Sequence, residues 1–289
     1  MMMQRFITGS ILVVLAGLLI YFGGLTLGIA VMICLLCAVW EELRALKKAG
    51  HRTVEWPTYL VSVVGLPAIV FLGDKAVMPM VLAAALAIVT CVMFRSEKPQ
   101  LGDMVMSMLP LFSVTLPCMG IMCVSRVEPV ALQRTLMCLL LTVPIMGDTM
   151  AYFVGSKVRG PKLCPAVSPN KTISGAIAGL VGSVLAAALV GLIARALCPD
   201  VSMEILTEDA VLGGAVQLVT KVPSWWKILL IGLVGGLASQ MGDLFASLVK
   251  RYAGVKDYSN LFPGHGGMLD RLDSILFMAL VVYSIRLLV

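Results

Sequence analysis

The sequence predicts an all-α, polytopic integral membrane protein of about nine transmembrane helices, and three observations carry that prediction. Apolar residues make up 60% of the chain. Charged residues make up only 13%, whereas a soluble domain uses about 25% to cover itself with a hydrated surface. Apolar runs of the roughly 20 residues needed to cross a bilayer recur from end to end. No segment reads as a detachable soluble domain, so residues 1–289 are expected to form one membrane-embedded unit.

The spans are placed at 5–23, 25–43, 57–73, 76–95, 104–124, 130–156, 172–197, 225–250 and 269–289. The first opens MMMQRF and stays apolar through Tyr21. Without a small-residue cleavage site it is read as a retained span, not a signal peptide. The second holds Cys34 and Cys37 one helical turn apart and ends at Glu41 and Glu42. No histidine or second cysteine pair lies nearby to complete a zinc site, so the two thiols are read as packing residues. The third to fifth rest on apolar length. The sixth carries Asp148, the eighth carries Asp243, and the ninth opens with Asp270 and Asp273. Before the eighth, the connection 198–224 is acidic, with Asp200, Glu204, Glu208 and Asp209. Its apolar stretch AVLGGAVQLV is too short to span and reads as a re-entrant or surface helix.

Sidedness follows from the basic residues. A cytoplasmic N-terminus puts 15 of the 22 lysines and arginines on the cytoplasmic side, which selects N-in, C-out. The net charge of +6 reflects that asymmetry, and basic loops beside a membrane ordinarily meet anionic lipid heads. Nucleic-acid binding would need a basic face with aromatic platforms, which the loops do not offer. No internal repeat points to a transporter built from two halves.

Ionisable groups at membrane depth are costly and usually functional. With the N-terminus inside, Glu41, Glu42, Asp148, Asp243, Asp270 and Asp273 all fall towards the cytoplasmic half. Asp243, Ser247 and Lys250 share one helical stripe, as do Asp270 and Asp273. Between them lie Lys256-Asp257 and then Pro263-Gly264-His265-Gly266-Gly267. Glycines before a helix let backbone N–H groups approach an anion. Carboxylates on neighbouring helices amid Lys250, Arg251, Lys256 and Arg271 suit a divalent ion gripping a polyphosphate, as Mg²⁺ does.

A second cluster lies upstream. Asp148, Tyr152 and Gly155 share a helix face, and a turn-rich loop follows with Lys157, Arg159, Lys162 and Lys171. Ser168-Pro169-Asn170-Lys171-Thr172 then runs into the next span, another helix start for phosphate. It is not a Walker loop. Taken singly, these features have plainer readings. Asp270 caps a helix, Asp273 pairs with Arg271 or Lys250, Asp257 forms a solvated pair with Lys256, and His265 is an ordinary loop residue. Their clustering on one membrane face favours a site.

The segment SLVKRYAGVKDYSNLFPGHGGMLDRLD, 247–273, resembles the signature of the phosphatidate cytidylyltransferases. Ser247, Lys250, Arg251, Lys256, Asp257, Pro263, His265, Gly266, Gly267, Asp270, Arg271 and Asp273 all match its polar and glycine positions. The stretch DTMAYFVGSKVRGPKLCPAVSPNKTISG, 148–175, is similar to the family's second characteristic region.

This resemblance implies an enzyme that joins CTP and phosphatidate to give CDP-diacylglycerol and pyrophosphate in phospholipid biosynthesis. It implies a requirement for Mg²⁺, beside which a monovalent cation is a further candidate. Asp243 and Asp270 map onto the family's metal ligands, and Asp273 is expected to be a ligand or to support one. Lys250, Arg251, Lys256 and Arg271 are expected to hold phosphates, with Asp257 and His265 in the same catalytic set. Ser168, Lys171, Ser247, Gly266, Gly267, Asp148 and Tyr152 are the expected substrate-binding residues. Helices within 1–124 become a scaffold and 130–289 the bearer of the site. Family members also form homodimers. The expected setting is a bacterial inner membrane with the site facing the cytoplasm. A CTP-dependent polyprenol or isoprenoid-lipid kinase, an ether-lipid cytidylyltransferase and, more distantly, an ion-coupled carrier are the alternatives.

Overall fold

Lipid offers the backbone no hydrogen-bond partner, so an apolar chain satisfies its own N–H and C=O groups within helices. The structure, a computed structural model, describes residues 14–95, 99–128, 130–158, 160–197, 225–262 and 266–288. A helix over 14–22 ends at Gly23, whose φ of 59° lies in the left-handed region. Then come α1 (Gly24–Lys48), α2 (Trp56–Leu72), a 3₁₀ turn (Gly73–Ala76) and α3 (Val77–Arg95). Next are α4 (Leu101–Pro110), a π turn (Leu111–Thr115) and α5 (Leu116–Val124), followed by α6 (Val130–Val158). Strands β1 (Lys162–Cys164) and β2 (Ser168–Thr172) precede α7 (Ile173–Leu197), α8 (Trp225–Tyr252) and α9 (Leu269–Leu288).

Among the described residues six helical stretches are long and apolar enough to cross a membrane: Gly24–Lys48, Trp56–Phe94, Leu101–Val124, Val130–Val158, Ile173–Leu197 and Trp225–Tyr252. The protein is an all-α integral membrane protein. The expected third and fourth spans are one such stretch, broken by the turn at Gly73–Ala76. Residues 5–13 of the first expected span and the acidic connection 198–224 lie outside the described residues.

Two features differ from expectation. The helix placed at 25–43 runs on to Lys48, so Glu41 and Glu42 lie inside it rather than at its end. Both are buried. The turn-rich loop after α6 folds as an antiparallel hairpin, with Lys162 opposite Thr172 and Cys164 opposite Ser168. Ile173 N–H donates to Pro161 O at 2.9 Å, tying the hairpin's exit to its entry.

Two apolar clusters hold the helices together. One joins α1–α5 to α8 and α9 through Leu35, Leu46, Ile88, Met119 and Leu276. The other joins Leu139 of α6, Ala187 of α7, Ile228 of α8 and Met278 of α9. Lipid is as apolar as leucine, so helices in a membrane associate by close backbone packing, which small residues permit. A Cβ on Gly147 of α6 would fall 2.5 Å from Ser183 Oγ, and one on Gly236 of α8 would fall 2.6 Å from Ser183 Cβ. Ser183 on α7 thus sits between α6 and α8, donating its own hydroxyl to Val143 O at 3.1 Å. That three-helix seam holds the acidic residues of α6 and α8 beside the hairpin.

Candidate active site

A cavity of about 590 Å³ opens among α6, β2, α8 and α9. Asp148, Asp243, Asp257, Asp270 and Asp273 bring five carboxylates to its wall, and Lys171, Lys250 and Arg271 bring three cations. The predicted stripe on α8 is present. Ser247 Oγ lies 3.5 Å from Asp243 Oδ1, and Asp243 forms an ion pair with Lys171 of β2. One turn further, Lys250 Nζ donates to Asp270 Oδ1 at 2.7 Å.

Asp270 is nearly enclosed, and each of its oxygens has a partner. Its second oxygen accepts from Tyr258 N–H and Gly267 N–H, each at 2.9 Å. Three donors, one of them charged, offset the cost of burying this carboxylate. Asp273 accepts from Ser274 N–H at 2.8 Å, and Ser274 Oγ donates to Asp148 Oδ2 at 3.3 Å, which links α9 to α6.

Tyr258, in the connection between α8 and α9, lies against Lys250. The ammonium lies 5.5 Å from the ring centroid, within cation–π range. The buried phenol donates to Ala246 O at 3.3 Å. Burial pushes this phenol well above its ordinary range, and the carboxylates of Glu42, Asp270, Asp273 and Glu41 push it further.

Of the residues singled out from the sequence, Asp148, Tyr152, Lys171, Asp243, Lys250, Asp257, Asp270, Arg271 and Asp273 share this cavity. Ser247 supports Asp243 from the same stripe. The others stand off the wall. Arg251 is exposed, and its Nε donates to Val167 O at 3.4 Å, pinning the hairpin turn to the end of α8. Lys256 is exposed. Ser168 pairs with Cys164 in the hairpin. Gly266, at φ 83°, accepts from Phe262 N–H at 2.9 Å through its carbonyl. His265, with Pro263 and Gly264, lies outside the described residues.

The start of α9 corrects one expectation. Its N–H groups were expected to be open to a phosphate. Those of Gly267, Met268 and Leu269 instead donate to Asp270 and Glu41 of the chain itself. The start of α7 is likewise capped internally, since Thr172 Oγ1 accepts from Gly175 N–H at 3.1 Å.

Gln240 was missed from the sequence. It lies three residues before Asp243 on the same stripe, lines the cavity, and donates to Ala176 O at 3.0 Å. Its spacing from Asp243 was the available signal. Asn170, within the Ser168–Thr172 run marked in the sequence, also lines the cavity.

The chain matches the cytidylyltransferase family over residues 3–289. It is 38% identical over 136 residues to a phosphatidate cytidylyltransferase of Brucella abortus biovar 1 (strain 9-941), and 36% identical over 136 residues to one of Bacillus subtilis (strain 168). Each match covers 47% of this chain and 41% of the relative. A third relative of that name, from Helicobacter pylori (strain J99), is 31% identical over 281 residues, covering 97% of this chain and 90% of its own. With a match running from residue 3 to residue 289, this chain belongs to the cytidylyltransferase family.

Proposed function

We propose that the protein transfers CMP from CTP to phosphatidate, releasing pyrophosphate and forming CDP-diacylglycerol. The observation that carries this is the convergence of Asp243–Lys171 and Asp270–Lys250, from two helices and a hairpin, on one polar cavity in a membrane protein. Its volume of about 590 Å³ lies in the range that takes a nucleotide-sized ligand. The names of the relatives agree.

The chemistry needs no protein nucleophile. An oxygen of the phosphatidate phosphate bonds to the α-phosphorus of CTP, the bond from that phosphorus to the α,β-bridging oxygen breaks, and pyrophosphate leaves. Catalysis is then alignment and neutralisation of charge. Lys171, Lys250 and Arg271 hold phosphate oxygens, and Tyr152 flanks the lipid phosphate from the α6 wall of the cavity.

Mg²⁺ fits this donor set. Among the described residues no three carboxylate, histidine or cysteine groups come together so as to hold a metal ion by themselves, but several carboxylates face one cavity. Mg²⁺ commonly takes one or two carboxylates and completes its shell with substrate phosphate and water. Asp243 and Asp270 would hold it, with Asp273 beside them, and it would supply charge neutralisation at the phosphates.

The remaining features follow the same proposal. Nine spans with N-in, C-out polarity put the cavity on the cytoplasmic side, where CTP is found, and bacterial relatives favour the inner membrane. The diacyl chains stay in the bilayer. The chain acts as one catalytic unit, with 1–124 as scaffold, and it assembles as a homodimer.

The test is incubation of the detergent-purified protein with phosphatidate and CTP labelled at the α or γ position. Label from the α position in the lipid supports the proposal, with a loss of at least about 100-fold in Asp243→Asn and Asp270→Asn. Lipid label from the γ position, or none with folded protein, rejects it.

A further inference from the structure

Glu41 lies 0% exposed on α1, far in sequence from the cavity and absent from its wall. A buried carboxylate is tolerated only where donors replace its water. Its donors all belong to the connection that delivers Asp270. Ser259 Oγ and Met268 N–H donate to Oε1 at 2.5 and 2.9 Å, and Leu269 N–H donates to Oε2 at 2.7 Å. A Cβ at Gly267 would fall 2.6 Å from both carboxylate oxygens. A side chain at 267 would have to displace the Glu41 carboxylate.

The bonding alternates along this connection. Tyr258 N–H and Gly267 N–H go to Asp270, while their chain neighbours Ser259 and Met268 go to Glu41. Two carboxylates thus hold both ends of the turn, one from inside the turn's own helix and one from α1. Asp270 cannot set its own backbone. Glu41 can, because it reaches the turn from α1, a distant part of the chain held by Leu35, Leu43 and Leu46 in the apolar core that Tyr258 and Leu269 also join.

We infer that Glu41 is a positioning residue: it clamps Ser259, Met268 and Leu269 and so fixes where the Asp270 carboxylate stands in the cavity. The adjacent Glu42 provides an internal contrast. It is equally buried on the same helix, but its donor is Ser113 of the π turn, at 2.7 Å.

Because the part played by Asp270 rests on the proposed function, the clamp is read separately from activity. The full chain in detergent is compared as wild type, Glu41→Gln, Ser259→Ala and Glu42→Gln. Glutamine keeps the size of Glu41 but turns an NH₂ towards N–H donors. Amide hydrogen exchange across 257–270 should quicken at least about 10-fold in Glu41→Gln and less in Ser259→Ala, with exchange in α5 unchanged. Misplacing Asp270 should lower kcat by about 10- to 100-fold with the KM for CTP within about threefold. Glu42→Gln should leave exchange across 257–270 unchanged.

Unchanged exchange in Glu41→Gln overturns the clamp, as does equal loosening in Glu42→Gln. Faster exchange with undiminished kcat overturns the positioning role. If the wild type transfers no CMP while Glu41→Gln still loosens the turn selectively, the clamp stands and the proposed reaction falls. Should Glu41→Gln not fold, Ser259→Ala decides alone: faster exchange with lowered kcat supports the inference, and no change in either rejects it.

Discussion

Lys250 Nζ and Asp270 Oδ1 meet at 2.7 Å with side chains only 13% and 3% exposed, joining the end of α8 to the start of α9. Removing one member of so enclosed a pair strands the other. Lys250→Met is expected to destabilise the protein by about 3 kcal/mol. The double variant with Asp270→Asn should recover most of that loss without recovering activity. Thermal unfolding in detergent, run as a double-mutant cycle, measures the coupling; additive losses would show that the two side chains do not depend on each other.

Tyr258 sets a limit at high pH. Its phenol is pushed above the ordinary value, which is about 10 in the unfolded chain. The folded state therefore keeps its proton where the unfolded state has lost it. Stability contributed by this group is complete below about pH 10 and declines as pH rises towards the folded value. Tyr258→Phe should lose less stability than wild type between about pH 9.5 and 11, measured by melting temperature in parallel. Parallel curves for the two proteins would refute it.

Gly242 lies where α8 crosses α9. A Cβ there would fall 2.5 Å from the Asp273 carbonyl oxygen and 2.9 Å from the Phe277 ring. Gly242→Ala must push the helices apart beside Asp243 and Asp273. The expected cost is about 1–3 kcal/mol, with activity falling about 10-fold or more because neighbouring carboxylates move with the backbone. A variant with wild-type melting and turnover would show that the crossing has slack.

Arg251 and Lys171 should behave differently although both are basic and close in space. Lys171 pairs with Asp243 in the cavity, whereas Arg251 holds the hairpin carbonyl of Val167. Lys171→Ala should cut turnover by about 100-fold. Arg251→Ala should act through the hairpin, quickening exchange over 162–172 and lowering turnover by only a few-fold. Equal losses in turnover would place Arg251 on the substrate.

Helical character was legible in the sequence because lipid imposes it. The stripe Asp243, Ser247 and Lys250 was legible because helical spacing fixes neighbours, whereas the plain reading of Lys250 paired it with Asp273 and the structure pairs it with Asp270. What lay beyond reach was long-range. Nothing around Glu41 indicates that its donors are Ser259, Met268 and Leu269, since local spacing carries no information about a contact across the chain. The same blindness made Gly266 and Gly267 read as a phosphate cradle. A glycine needed by a neighbouring carboxylate and one needed by a ligand look alike in sequence. The hairpin at 162–172 was hidden by its prolines and lysines, which read equally well as irregular turn.

The clamp on the turn before α9 has a further consequence, for biosynthesis. Glu41 is separated from Met268 by 227 residues. During synthesis α1 must enter the bilayer with this carboxylate long before its partners leave the ribosome. Until α9 arrives, the early helices hold an uncompensated acid, and their packing stays provisional. Chains truncated before Met268 should consequently be cleared by membrane quality-control proteolysis, while Glu41→Leu in the same truncations should lengthen their lifetime. Pulse–chase of the two nascent series reads this directly, and equal lifetimes would mean that the acid finds other partners while it waits.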